Sequence, residues 1–149
     1  MIKQACRAAM RFGGGAAALV LLTGGAPTTA LEVRISQLRS AKGMVRLCVT
    51  ADARSFPKCA DDPHAVRRSV PAEDPVVRIE GLAPGSYAVA VIHDENANGK
   101  LDTFAGIPRE GFGFSRNPGI GFGPPRFSAA RFDLSGDADR QQVRIRYLF

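Results

Sequence analysis

Apolar and polar residues alternate in short runs along most of this chain. In 31–38, Leu31, Val33 and Ile35 alternate with Glu32, Arg34 and Ser36. In 44–50, Val45, Leu47 and Val49 share one face while Met44, Arg46 and Cys48 share the other. Val77 and Ile79 alternate with Arg78 and Glu80, and Val143, Ile145, Tyr147 and Phe149 alternate with Arg144, Arg146 and Leu148. Successive side chains of a strand point to opposite faces, so each run predicts a strand with one buried face. Residues 87–92 are apolar on both faces, with Ala88 and Ala90 on one side and Tyr87, Val89 and Val91 on the other. That pattern predicts a central strand covered on both sides. Phe132 and Leu134 predict a further strand within 127–134, and a weak one lies near 66–70. No window of the chain after residue 30 sustains helical spacing with caps.

Turn residues separate these runs. Ala41-Lys42-Gly43 predicts a hairpin between the first two strands, and Gly81-Leu82-Ala83-Pro84-Gly85 a reversal before the central one. Six or seven short strands with turns between them predict an all-β fold, an antiparallel β-sandwich of about seven strands. Two segments, 51–75 and 103–125, read as irregular. The second is dense in Gly, Pro and Phe, and Phe112, Phe114 and Phe122 make it too aromatic for simple disorder. It reads either as a contact surface or as a lid packing its own rings over the open end of the sandwich. The lid is expected, because exposed aromatic clusters invite aggregation.

The first thirty residues follow a different grammar. Lys3, Arg7 and Arg11 precede an apolar stretch from Phe12 to Leu22, and small neutral residues follow up to Thr28-Thr29-Ala30. This is the pattern of a secretory signal peptide, a helix in its apolar part, with cleavage expected after Ala30 and Ala26 as the second choice. The apolar stretch is shorter than the ~20 residues a membrane span needs. Residues 31–149 then form a single domain in a periplasmic or secreted protein, with no transmembrane span after cleavage. Cleavage also changes the charge: 20 Lys and Arg less three in the leader leaves 17 against 14 Asp and Glu, so +6 becomes +3. The remaining bases look scattered, which argues against nucleic acid. Cys48 and Cys59 remain as an even pair, read as a disulfide in an oxidising compartment.

Candidate chemistry concentrates after the central strand, in His93-Asp94-Glu95-Asn96-Ala97-Asn98-Gly99-Lys100-Leu101-Asp102. Asp94, Asn96, Asn98 and Asp102 hold relative positions 1, 3, 5 and 9 of a calcium loop, and Gly99 holds position 6. Lys100 would offer its backbone oxygen. Position 12 is Ala105, so Glu110 would have to fold back as the missing acidic ligand. Two certain carboxylates imply weak Ca2+ binding, in the ~10⁻⁴–10⁻³ M range. The same residues also build metal-free Asx-turns, and both readings stay open. His93 has no nucleophile motif beside it, so its plainest role is local hydrogen bonding. The enzymatic alternative is a small secreted hydrolase using His93 with Glu110 or Asp94. Gly119-Ile120-Gly121-Phe122-Gly123 is followed by Pro124 and Pro125 where a phosphate-binding helix would have to start, which excludes that reading.

Three blocks together resemble the signature of the bacterial domain-of-unknown-function family numbered 2141. They are Gly85-Ser86-Tyr87-Ala88-Val89-Ala90-Val91, the 93–102 loop, and Gly106-Ile107-Pro108-Arg109-Glu110-Gly111-Phe112-Gly113-Phe114-Ser115, extended by Pro124-Pro125-Arg126-Phe127. The resemblance covers most of 31–149 and implies a small exported single-domain protein without assigned activity. Residues 82–102 also resemble the Ig-like, prealbumin-like sandwiches and the B-type repeats of collagen adhesins, in which a similar loop binds calcium and stiffens the module. The expectation is an exported, non-catalytic binding or structural module of the bacterial cell envelope, its partner an envelope protein or polysaccharide. A third possibility is an assembly partner held through an unpaired C-terminal strand.

Overall fold

The computed structural model describes residues 29–136 and 138–149. Ten strands and one helical turn follow in chain order: β1 (Thr29–Ser36), β2 (Met44–Thr50), β3 (Val66–Pro71), β4 (Val76–Leu82), β5 (Gly85–Asp94), β6 (Thr103–Phe104), β7 (Ile107–Pro108), β8 (Gly111–Phe114), α1 (Phe127–Ala130), β9 (Phe132–Leu134) and β10 (Asp139–Arg144). The expected leader lies outside the described residues except for Thr29 and Ala30, which pair with Leu82 and Glu80 in β1.

The fold is a β-sandwich. One sheet has the order β10-β1-β4; the other has the order β3-β2-β5-β8, with β9 also pairing β5. The alternation explains which side of each strand is inside. Leu31, Val33 and Ile35 of β1 meet Val77 and Ile79 of β4 and Val143 of β10 from one sheet, and Val45, Leu47, Val49, Val89 and Val91 from the other. β5 is central as its two-faced apolarity requires, with β2 along one edge and β8 and β9 sharing the other.

Several expectations change. Ala41-Lys42-Gly43 does not join paired strands: β1 pairs β4 and β10 while β2 pairs β3 and β5, so this turn carries the chain from one sheet to the other. β10 runs parallel to β1, an exception in an otherwise antiparallel sandwich. Residues 127–130 form a helical turn, and only 132–134 form a strand. Segment 103–125 is not wholly irregular, because it contains β6, β7 and β8.

β8 explains the Gly-Phe repeat. Its period of two sends Gly111 and Gly113 to one face and Phe112 and Phe114 to the other. A Cβ at Gly111 would lie 2.5 Å from the Tyr147 ring, and one at Gly113 would lie 2.7 Å from the Arg144 carbonyl oxygen. The glycines therefore let the end of β10 cross directly over β8. There the Phe112 N–H donates to the Arg146 carbonyl (3.0 Å) and the Arg146 N–H to the Phe112 carbonyl (2.8 Å). The segment after β10 is held by this bridge at Arg146 and by the Ile145 N–H on the Ser36 carbonyl (2.9 Å), while β10 itself is the edge strand of its sheet.

The opposite face of the β5 sheet holds a second, smaller core. Phe112, Phe114, Ala88 and Ala130 are buried there, with Phe56, Phe127 and Ile120 packed against them. Phe56 sits edge-on to Phe114 and Phe127, at centroid distances of 5.8 and 6.0 Å. Cys48 faces this side, as parity requires, yet the side is covered, and the Cys48–Cys59 disulfide fastens the covering loop with its Cα atoms 6.5 Å apart. Ser115, fully buried, ties the layers: its Oγ accepts from the Val89 N–H (2.9 Å) and donates to the Ala130 carbonyl (2.6 Å). Phe112 and Phe114 thus pack inward, but as part of a strand on the outer face of this sheet and not as a lid over the open end of the sandwich, and Phe122 stands fully exposed.

Candidate functional site

β5 ends at His93 and Asp94, and four other segments meet it at that end: the 37–43 crossover, the 95–102 loop, Glu110 and residues 147–149. Gly43 has φ +70° and lies against the backbone of Asp94 and Glu95, so only glycine lets the crossover pass this close. The contact brings the Lys42 carbonyl within 2.8 Å of His93 Nε2.

His93 is fully buried. A carbonyl only accepts, so Nε2 donates to the Lys42 carbonyl, and Nδ1 is hydrogen-bonded to the Tyr147 hydroxyl at 2.6 Å. The Tyr147 oxygen in turn accepts from the Arg39 N–H (3.1 Å), and the Arg39 guanidinium stacks 4.4 Å above the Tyr147 ring. Burial pushes the Tyr147 phenol above its ordinary value. Arg39 also grips Glu95 through Nη2 (2.5 Å) and Nε (3.0 Å), and the Ser40 hydroxyl donates to the same carboxylate. These contacts, Arg39 foremost, hold the Glu95 carboxyl below its usual range.

Asp94 is also fully buried. Its Oδ2 accepts from Arg46 Nε (2.5 Å) and from the Gly99 N–H (2.8 Å), and its Oδ1 accepts from the Asn98 N–H (3.0 Å). Burial pushes this carboxyl upward, but the Arg46, Gly99 and Asn98 donors outweigh it, and the net displacement is downward. The loop closes on itself by the Asx geometry that its composition favours. Asn96 Oδ1 accepts from the Asn98 N–H and Asn98 Oδ1 from the Lys100 N–H, both at 3.1 Å. The two amide nitrogens donate to Asp102, at 2.7 Å from Asn96 and 2.9 Å from Asn98.

Glu110 folds back onto the loop, where its carboxylate accepts from the Glu95 N–H (3.1 Å) and the Asp102 N–H (3.0 Å). It therefore joins the two ends of the loop. The structure thus brings Asp94, Asn96, Asn98, Lys100, Asp102 and Glu110 into one neighbourhood. Among the described residues, however, no three His, Cys, Asp or Glu side chains converge as a metal cage. An open cleft of about 530 Å³ lies beside the loop, lined by Arg39, Arg109, Glu95, Asp102, Glu110 and Phe149.

Sequence reasoning did not find Arg39, Arg46 or Tyr147 as members of this site. Arg46 stands on the outward parity of β2 and reaches Asp94 only because β2 and β5 lie side by side, with Met44 opposite Asp94. Tyr147 belongs to the alternating pattern of a strand, which marks it as buried but does not say against what.

Fold and site together define a disulfide-stapled β-sandwich with a self-closed acidic-amide loop at one end. Residues 33–142 match the model of a family described as an uncharacterized protein conserved in bacteria (DUF2141), and the chain belongs to that family. No curated protein and no solved structure matches it. Among the described residues, no helix is long and apolar enough to cross a membrane.

Proposed function

We propose that this protein is an exported, non-catalytic module of the bacterial cell envelope, in which the 94–102 loop stiffens one end of the sandwich. The observation that carries the reading is how the polar groups at that end are used. His93 engages Tyr147 and the Lys42 carbonyl, Asp94 engages Arg46 and two N–H groups, and Glu110 engages two more. A general acid or base must reach a substrate proton, and here the buried candidates are committed to the scaffold. The hydrolase alternative would require His93 to leave both partners. The disulfide and the leader-like first thirty residues support export. The test is fractionation of cells producing the full chain, with a chromogenic ester and glycoside screen of the purified protein. Recovery of a shortened, oxidised form in the periplasm or medium, without turnover, is expected. Turnover abolished by His93→Ala, or recovery in the cytoplasm with free thiols, would overturn the reading.

Calcium is a second reading of the same loop. It is favoured by the gathering of Asp94, Asn96, Asn98 and Asp102 on one turn, with Asp102 at the mouth of the cleft. Tight binding is opposed by Arg46, whose guanidinium already neutralises Asp94 at 2.5 Å. Calcium binding would therefore be weak, with Asp102 as the accessible ligand. A ligand at 100 times its dissociation constant adds ~2.7 kcal/mol, so calcium in that excess should raise the melting temperature measurably. An unchanged melt in tens of millimolar calcium would remove this reading and leave the first intact.

A further inference from the structure

Four of the arginines that look scattered in sequence are gathered on one face by the fold. On the three-stranded sheet, the side facing away from the core carries Glu32 and Arg34 from β1, Arg78 and Glu80 from β4, and Arg140 and Arg144 from β10. Strand register sets them side by side, with Glu32 between Arg78 on one neighbour and Arg140 on the other. Three guanidiniums converge on the one carboxylate: Arg34 at 2.6 Å, Arg78 at 3.0 Å and Arg140 at 3.0 Å. Arg34 and Arg140 reach it through Nε, so their terminal nitrogens lie beyond the contact. All three side chains stay half to three-quarters exposed, whereas Glu32 is 13% exposed. The carboxylate thus acts as a hub that holds the guanidiniums in place while neutralising only one of them.

We propose that this face binds an acidic polysaccharide through carboxylate or phosphate groups on its sugars. The assignment rests on the reading of the protein as an envelope binding module and names the partner class. Four arginines face two glutamates, so the face is net cationic. With neighbouring strands ~4.8 Å apart, Arg140, Arg34 and Arg78 span about 10 Å across the sheet, and Arg144 stands about 13 Å along β10 from Arg140. A guanidinium presents planar paired donors that match carboxylate and phosphate oxygens. Within the face only Val76 is an exposed large apolar residue. A bilayer-docking surface inserts apolar side chains beneath its cations, so a hydrated polymer fits this face better than a membrane.

The test is binding of the purified protein to fluorescently labelled polygalacturonate at ~20 mM salt, with neutral dextran and phosphatidylglycerol vesicles in parallel arms. Polygalacturonate should bind, dextran should not, and ~0.5 M salt should release the polymer. The variant Arg34→Ser/Arg140→Ser/Arg144→Ser should weaken binding about tenfold, since each exposed charged contact contributes a fraction of a kcal/mol. Arg54→Ser/Arg68→Ser/Arg131→Ser changes net charge equally on other surfaces and should leave binding unchanged. If the first triple variant melts early, Arg34→Ser and Arg140→Ser replace it singly, each expected to cost about two- to threefold. Equal losses in both triple variants would show that net charge, not this face, does the binding, and would overturn the assignment. So would absence of polygalacturonate binding, or binding confined to the vesicles. None of these outcomes bears on the absence of turnover, which tests the module reading separately.

Discussion

The Tyr147 hydroxyl lies 2.6 Å from His93 Nδ1, and through that contact the last segment of the chain holds the end of the central strand. Tyr147→Phe keeps the ring under Arg39 but leaves the buried imidazole nitrogen without its hydrogen-bond partner. The expected cost is about 1–2 kcal/mol, read as a lower urea midpoint with an unchanged slope.

The Asp94–Arg46 pair should matter more. Asp94→Ala would strand a half-buried guanidinium and remove the acceptor for the Asn98 and Gly99 N–H groups. A loss of about 2–3 kcal/mol is expected, below the figure for a fully buried pair because Arg46 keeps some solvent contact. Proteolysis should then cut first within 95–102.

The same carboxyl sets an acid limit. Its folded pKa is depressed, so its contribution is fully present above the unfolded value of ~3.9 and is lost as pH falls through the folded value. The parent should lose stability as pH drops below ~4, and Asp94→Asn should show a shallower decline over that range. Identical acid slopes for the two proteins would refute the assignment.

Gly111→Ala and Gly113→Ala place a methyl where Tyr147 and the Arg144 carbonyl already lie. Each should cost about 1–3 kcal/mol, with loss of hydrogen-exchange protection along β10 and β8. Gly119→Ala, where nothing lies within 4 Å of the new methyl, is the matched control and should melt like the parent.

Replacing Cys48 and Cys59 by Ala should lower stability by ~2–3 kcal/mol, in the range for a short closed loop. The effect should be concentrated where Phe56 packs on Phe114 and Phe127, since the bridge anchors that loop. Limited proteolysis within 51–65 before global unfolding is the expected signature.

Most strands were legible where alternation was strong; the exception is 143–149, whose alternation continues past β10, which ends at Arg144. β1, β2, β4 and β5 stand close to where Leu31, Val45, Val77 and Val89 place them, because burying one face dictates a period of two. Sheet membership was not legible: nothing in Ala41-Lys42-Gly43 distinguishes a hairpin from a crossover, and only the three-dimensional partners of Val33 and Leu47 decide it. β8 was hidden because alternate glycines weaken a strand's signature even though Phe112 and Phe114 keep its period. The four residues of α1 are too few to show a helical repeat.

The site was legible in its donors and not in its wiring. Asp94, Asn96, Asn98 and Asp102 do come together, as the turn residues indicated; Glu110 joins them through the Glu95 and Asp102 N–H groups, a fold-back that local spacing does not dictate. Arg46 and Tyr147 join them from 48 and 54 positions away from their respective partners, a distance that no local spacing rule spans. The arginine face was missed for the same reason. Arg34, Arg78 and Arg140 are ordinary outward residues of three strands until strand register makes them neighbours.

The pairing of β1 with β10 has a consequence for how the domain is made. Leu31 sits opposite Asp139, and Ser36 opposite Arg144. A chain delivered from its N-terminus, by ribosome or translocon, presents the first strand of the sandwich long before its parallel neighbour emerges. One flank of that strand stays open during synthesis, so closure is a late, long-range event, and a cell making this domain must shield a bare sheet edge until the final stretch has arrived.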